Sequence, residues 1–383
     1  MAQRPRLNRY SWEGVYSAEF TLDSFRRRCR RLAETLIAHN WSCLIAQDTR
    51  FMAGQYARYA FQGLQARGVR VSLCPTPAPF PAVEQALDQK RADTALIVSA
   101  GNRPFWYNGM VVLAPLDSSP LVGEPEAEDS APDAPFPPAP LDNTENTSID
   151  LRSPYLETLR DSVDMDLIRR ATLTVFVDPM NGAASGYVPA ALGEGGQTKA
   201  IEINRETDPL FGRQPPQPTE AGLNRLRKLV KESDSHLGIA LSADGRAIVV
   251  ADNQGDTVSL LDMTLLLAQY LNRQYRQRGV IVASTPDGAA EAAAGIRAWE
   301  EASGLKVELS ADPAARIAEL LNQDRNSLLV GTTAAGEITL GRYSSSPDAT
   351  LVALILIESV ARAGVRLRAL LDEMKGRSVK REP

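Results

Sequence analysis

Short apolar runs and helical apolar patterns alternate along the chain. Cys43 to Ala46 and Thr94 to Val98 are runs of four and five residues that close on turn formers, and Met52 to Arg67 between them carries apolar residues at helical spacing. Strand, helix and strand in that order predict a parallel sheet covered by helices. The grammar recurs. Leu173 to Val177 and Leu237 to Leu241 predict strands, with helices over Leu159 to Arg170, Ala183 to Leu192 and Glu220 to Lys231, the last opened by Thr219 as N-cap. A third stretch predicts an apolar helix from Val258 to Tyr275, strands at Val280 to Ala283 and Leu328 to Val330, and helices over Ala289 to Ala302 and Leu351 to Ala363. The fold class expected is α/β: three consecutive α/β/α domains with mixed, mostly parallel sheets, at residues 1–116, 151–256 and 257–375, followed by a tail at 376–383.

Composition adds a boundary. Asp117 to Asp150 holds nine acidic residues, no Lys or Arg, and seven of the 25 prolines, too little apolar surface to offset the entropy of ordering it. Residues 117–150 are therefore expected to be a disordered linker or insertion. The net charge of −5 speaks against a dedicated nucleic-acid binder, which needs a basic excess for phosphate contacts. No signal-peptide pattern opens the chain and no run approaches the roughly 18 apolar residues of a membrane helix, so a cytoplasmic protein without membrane contact is expected. Cys29, Cys43 and Cys74 have no metal-ligand spacing and read as buried small hydrophobes. The run Arg26-Arg27-Arg28-Cys29-Arg30-Arg31 reads as a solvated helix face, and Gly193-Glu194-Gly195-Gly196 as a helix-ending turn. With His39 and His236 alone, a histidine-based triad is not expected.

Several motifs in order carry a resemblance. Asp48-Thr49-Arg50, Pro75-Thr76-Pro77 and Tyr107-Asn108-Gly109 resemble domain 1 of the α-D-phosphohexomutases, the phosphoglucomutase/phosphomannomutase superfamily. Ser153-Pro154-Tyr155-Leu156, Val177 to Ala183, Asp208-Pro209-Leu210-Phe211-Gly212 and Leu237-Gly238-Ile239-Ala240 are similar to its domain 2, and Val258 to Leu271 with the helix after Asp348 resembles domain 3. The resemblance implies domains of phosphoglucomutase type around a cleft, with a fourth, which grips the substrate phosphate, expected where this chain reaches Pro383.

It also implies a phosphorylated serine, magnesium held by an aspartate loop, cations around the phosphate and a sugar-recognition loop. The phosphoserine motif Thr-Ala-Ser-His-Asn-Pro falls on Ser99-Ala100-Gly101-Asn102-Arg103-Pro104, which puts Gly101 at the serine and Asn102 at the histidine. Ser99 is the nearby hydroxyl, two residues upstream. A family lysine falls on Val111. The metal loop Asp-Gly-Asp-x-Asp-Arg falls on Ser242-Ala243-Asp244-Gly245-Arg246-Ala247, leaving Asp244 of three carboxylates, with Arg246 expected to pair with it. The Ser-Gly-x-Arg-Gly loop corresponds to Tyr10-Ser11-Trp12-Glu13-Gly14, with Glu13 for arginine, and a phosphate-contacting lysine aligns to Ala315 beside Arg316. The sugar loop Gly-Glu-Glu-Ser-Gly falls on Gly331-Thr332-Thr333-Ala334-Ala335.

Phosphoryl transfer depends on positioning and charge neutralisation, so these losses point to a catalytically degenerate protein. The expectation is a non-catalytic binding or assembly scaffold with no catalytic residues, no bound metal or other cofactor where the active family would use magnesium, and an unknown cleft ligand. Self-association or a hetero-complex through domains 1 and 3 is expected to cover the face that a fourth domain would occupy. The alternative is a divergent but active sugar-phosphate mutase, an intramolecular phosphotransferase in carbohydrate metabolism.

Overall fold

A computed structural model describes residues 7–115, 147–285 and 289–377. They form two compact units, the first from residues up to Tyr155 with Asn181–Ala183 and Glu206–Pro216, the second from Leu156–Met180, Ala184–Arg205 and the chain from Gln217 onward.

The first unit contains strands β1 (Asn8–Val15), β2 (Cys43–Gln47), β3 (Val71–Leu73), β4 (Thr94–Val98) and β5 (Tyr107–Ala114), ordered β1-β5-β4-β2-β3. β2 runs parallel to β3 and β4, while β5 runs antiparallel to β4 and β1. β2 and β4 are buried along their whole length, which is why they read as unbroken apolar runs instead of alternating ones. Phe25, Leu32 and Leu36 of helix Leu22–Ala38 pack with Tyr56, Ala60 and Leu64 of helix Ala53–Gln65 on one side of this sheet. The first helix opens on a capping box in which Thr21 Oγ1 accepts from the Ser24 N–H and Ser24 Oγ from the Thr21 N–H. Gly109 lies where β5 is squeezed between its neighbours. A Cβ there would stand 2.5 Å from the Ser99 carbonyl oxygen and 3.0 Å from that of Trp12, so the Tyr-Asn-Gly motif ends in the one residue that fits.

The second unit holds two four-stranded sheets. β6 (Thr174–Asp178), β7 (Lys199–Glu202), β8 (Leu237–Leu241) and β9 (Ile248–Asp252) are ordered β7-β6-β8-β9, with the last pair antiparallel. β10 (Val280–Ser284), β11 (Val307–Ser310), β12 (Leu328–Thr332) and β13 (Ile338–Thr339) are ordered β11-β10-β12-β13, again closing on an antiparallel pair. Helix Ala349–Ala363 is buried from Ala349 to Val360, in keeping with a sequence apolar on all sides, and Asp348 caps it by accepting from the Leu351 N–H at 2.9 Å. The α/β class with mixed, mostly parallel sheets is the one expected.

Local differences have local causes. The helix expected over Leu159 to Arg170 is two, Arg152–Asp161 and Met165–Arg170, because Asp164 turns its carboxylate onto the Leu167 N–H and starts a new helix. The helix expected from Ala183 begins at Tyr187, after Gly186 with φ +76°. Arg28 departs from the solvated basic face: it is buried, with its guanidinium 3.7 Å from the centre of the Trp12 ring. The free cysteines are buried, as expected. Of the expected linker, residues 117–146 lie outside the described residues, whereas Ser148 bridges to Leu73 and the Ile149 N–H donates to the Leu73 carbonyl at 3.0 Å. Residues 378–383 of the expected tail also lie outside the described residues. Among the described residues no helix is long and apolar enough to cross a membrane.

Candidate functional site

In the first unit, the loop after β4 and the edge strand β1 enclose a cleft of about 320 Å³. Strand alternation sends Arg9, Ser11 and Glu13 to one face of β1, and all three line the cleft with Ser99, Gly101, Asn102 and Arg103. Glu13 does not leave an uncompensated negative charge, because its carboxylate takes the Nε hydrogen bond of Arg103. Val111, at the family lysine position, is buried opposite Ser11 in the β1/β5 ladder. Asn102 is exposed, whereas Gly101 sits in the left-handed region at φ +52°.

Ser99 is buried at the end of β4. Its hydroxyl accepts from the Gly101 N–H at 3.0 Å and lies near the Asp48 carboxylate. Burial pushes the Asp48 carboxyl above the usual carboxylate range, while Arg50 and the Ser99 hydroxyl oppose that shift. Arg50, also buried, fastens the loop. Its Nε donates to Asp48 Oδ2 at 3.1 Å, Nη1 to the carbonyls of Pro104 and Tyr107 at 2.8 and 3.0 Å, and Nη2 to those of Gly101 and Arg103, both at 2.7 Å. Its guanidinium stacks 5.1 Å from the Phe211 ring centre, and Phe211 is held by Asp208, whose carboxylate accepts from the N–H groups of Leu210 and Gly212. The Asp-Thr-Arg and Asp-Pro-Leu-Phe-Gly motifs thus share one task, fixing the loop at 101–107. Sequence reasoning placed Ser11 and Glu13 in the entry loop but missed Arg9, although the alternation of Arg9, Ser11 and Glu13 with Tyr10 and Trp12 was the available signal.

The two remaining loops lie in the second unit. Ser242 to Ala247 is a tight turn from β8 to β9, in which Ser242 Oγ donates to Asp244 Oδ1 at 2.6 Å and accepts from the Arg246 and Ala247 N–H groups. The expected pairing of Arg246 with Asp244 is not what forms. Arg246 Nη1 lies 3.3 Å from Glu337 Oε1, because the turn abuts the Thr333–Glu337 hairpin, where Ala247 bridges Glu337 and the Ile248 N–H donates to the Gly336 carbonyl. Asp244 accepts from the Arg246 backbone N–H instead, at 3.2 Å. In the sugar loop, Thr332 Oγ1 is hydrogen-bonded to Thr264 Oγ1 at 2.7 Å, Thr333 Oγ1 is buried without a hydrogen-bond partner, and Ala334 is exposed. Arg316, beside Ala315, is taken up by Glu308 and Glu319.

This loop does not fit a hard divalent cation. Asp244 Oδ1 is engaged by Ser242 and the turn backbone, a guanidinium side chain stands two residues on, and no group of three His, Cys, Asp or Glu able to hold a metal occurs among the described residues.

Two family models match the chain: phosphoglucomutase/phosphomannomutase α/β/α domain I over residues 5–119 and domain II over 153–255, together more than half of it. A phosphoglucosamine mutase from Allorhizobium ampelinum is 28% identical over 335 residues, 85% of this chain and 71% of its own. A phosphoglucomutase/phosphomannomutase from Thermococcus kodakarensis is 24% identical over 337 residues, 86% and 71% of the two chains. The crystal structure of a phosphoglucomutase/phosphomannomutase family protein from Burkholderia thailandensis shares the fold, with a TM-score of 0.72 at 18% identity over 98% of this chain and 80% of that one. These relatives correct two expectations. They are named as sugar-phosphate mutases, which overturns the non-catalytic scaffold in favour of the active alternative. The expectation of no cofactor falls with it, since magnesium is what the resemblance to phosphohexomutases implies, even though the residues of the 242–247 turn do not supply its ligands. The chain belongs to the phosphoglucomutase/phosphomannomutase family.

Proposed function

We propose that the chain is a divergent sugar-phosphate mutase, an intramolecular phosphotransferase of carbohydrate metabolism. The observation that carries this reading is the likeness to a phosphoglucosamine mutase across 85% of the chain. The cleft supports it with a cation, Arg9, suited to a phosphorylated substrate.

Gly101 has no side chain to carry a phosphoryl group, and Ser99 takes the role. Its hydroxyl lies beside Asp48, a nucleophile next to a base of the kind covalent catalysis uses. In the forward step a bond forms from Ser99 Oγ to phosphorus as the bond from phosphorus to the sugar oxygen breaks. The hydroxyl proton passes to Asp48, which returns it to the departing sugar oxygen; transfer to the sugar's other hydroxyl reverses the sequence. Arg9 offsets the phosphoryl charge, and Arg50 holds Asp48 and the loop in place.

The test incubates the purified chain with hexose and glucosamine 1- or 6-phosphates, with and without magnesium, and follows the isomers by phosphorus NMR. Interconversion is expected, with loss of at least 100-fold in Ser99→Ala. Absence of turnover on every substrate would overturn the mutase reading, and full activity in Ser99→Ala would remove Ser99 from it.

A further inference from the structure

β7 is an edge strand, paired in its sheet to β6 alone. The Lys199 N–H donates to the Leu173 carbonyl at 2.7 Å and the Ile203 N–H to that of Val177 at 2.9 Å, so the backbone of the odd residues faces β6. A ladder alternates, and Ala200 and Glu202 therefore turn their backbone N–H and C=O groups to the open side. The edges at β3, β9 and β11 are capped by their own chain: Ser148 bridges Leu73, Thr257 bridges Ala251, and the Glu300 carboxylate takes the Val307 N–H at 2.9 Å. Ala200 has no such cap among the described residues.

Charges on an edge usually blunt it. Here both are folded back. Lys199 Nζ donates to the Gly196 carbonyl at 2.9 Å, and the two Glu202 carboxylate oxygens accept from the Gly186 N–H at 2.9 and 3.1 Å. Between them Ile201, 44% exposed, leaves an apolar side chain in solvent, although Ile203 on the same face is buried against Leu223 and Leu226.

We infer that this edge pairs antiparallel with the same edge of a second copy, joining the two four-stranded sheets into one of eight strands across a two-fold axis. The faces match only when residues of equal parity stand opposite each other, and the register centred on Ile201 pairs every residue from Lys199 to Ile203. Ala200 then exchanges its backbone hydrogen bonds with Glu202 of the second copy, while Ile201 meets its own counterpart at a non-hydrogen-bonded position, where side chains approach most closely. Lys199 falls opposite Ile203 and Glu202 opposite Ala200, so no like charges are set face to face. The surface belongs to the region 153–255, apart from the domains 1 and 3 through which association was expected, and it stands whether or not the chain turns over a sugar phosphate. Five paired residues cover less than the roughly 800 Å² per partner of a standard interface, which points to a dimer with a Kd on the order of 10 µM.

Sedimentation velocity of the full chain from about 1 to 100 µM tests it, with monomer giving way to dimer across that range. Ala200→Pro removes an outward N–H and no bond to β6, so it should weaken dimerisation at least 10-fold while melting within a few degrees of wild type. Ile201→Glu should weaken it as much by setting two carboxylates face to face, whereas Ile37→Glu, at an exposed apolar residue of the first unit, should change nothing. The native cysteines are buried, so diamide should link Ile201→Cys into a covalent dimer far faster than Lys199→Cys, which this register holds away from its own copy. A monomer at every concentration would overturn the pairing and leave the edge to another occupant. Dimerisation undiminished in both Ala200→Pro and Ile201→Glu, or equal crosslinking of the two cysteine variants, would overturn it as well.

Discussion

Replacing Arg50 with methionine keeps an apolar stem of similar length and deletes all five hydrogen bonds described for its guanidinium. The Arg50 side chain is fully buried and that of Asp48 nearly so, so the pair is not screened as a surface ion pair would be. Breaking a buried pair costs about 3–5 kcal/mol, and four carbonyls losing a charged donor add to that, though water can reach part of this loop and recover some of it. A loss of about 4 kcal/mol is expected from urea denaturation of the full chain. Arg50→Lys, with one nitrogen and at most three donors, should lose about half as much. Hydrogen exchange should locate the damage, with the amides from Gly101 to Tyr107 exposed before the rest of the sheet. pH supplies a second sign. Burial raises the Asp48 carboxyl and Arg50 opposes it, so without Arg50 folded Asp48 holds its proton to still higher pH. Between the ordinary and the folded value the folded state binds the extra proton, and stability falls as pH rises. The deficit of Arg50→Met should therefore be larger at pH 8 than at pH 5. A loss below 1 kcal/mol with unchanged exchange at 101–107 would refute the clamp.

Gly109→Ala should cost about 3 kcal/mol by thermal melting, because its methyl meets backbone oxygens that cannot move aside, whereas Gly54→Ala, with nothing within 4 Å in helix Ala53–Gln65, should gain about 0.5–1 kcal/mol. Similar effects at the two sites would contradict the packing. Burial, with Arg366 in the same sense, lowers the pKa of His236, whose Nδ1 accepts from the Thr174 N–H at 3.1 Å. The unfolded chain then takes the proton first, so this contribution is whole above the ordinary histidine value and fades as pH falls through the lower folded one. Denaturation midpoints at pH 7.5 and 5 should draw together in His236→Gln, and an unchanged gap would exclude this residue as a source of acid sensitivity.

The central strands were legible because burial on both faces leaves no alternation to interpret, and β8 falls on the predicted Leu237 to Leu241. The antiparallel edge β1 and its partner β5 were not, since a reading tuned to parallel crossovers passes over neighbouring strands joined another way. Asp48-Thr49-Arg50 stood out as a motif, but its task did not. Arg50 acts on carbonyls more than 50 residues away, and backbone acceptors leave no trace in residue type. Arg246 shows the same limit. Local reasoning offered Asp244 two residues off, while the topology delivered Glu337 from another sheet. The cleft was half legible: Gly101, Asn102 and Arg103 were found from one loop and Ser11 and Glu13 from another, while Arg9, one residue before the second motif, was not.

The junction of the 242–247 turn with the Thr333–Glu337 hairpin makes these loops mutually contingent. Converting Ser242 and Arg246 to aspartate would remove the hydroxyl that ties Asp244 and two backbone N–H groups, strip Glu337 of its cation, and set new carboxylates beside it. A change in the 242–247 turn is therefore felt at Glu337, and substitutions in the two loops should not add.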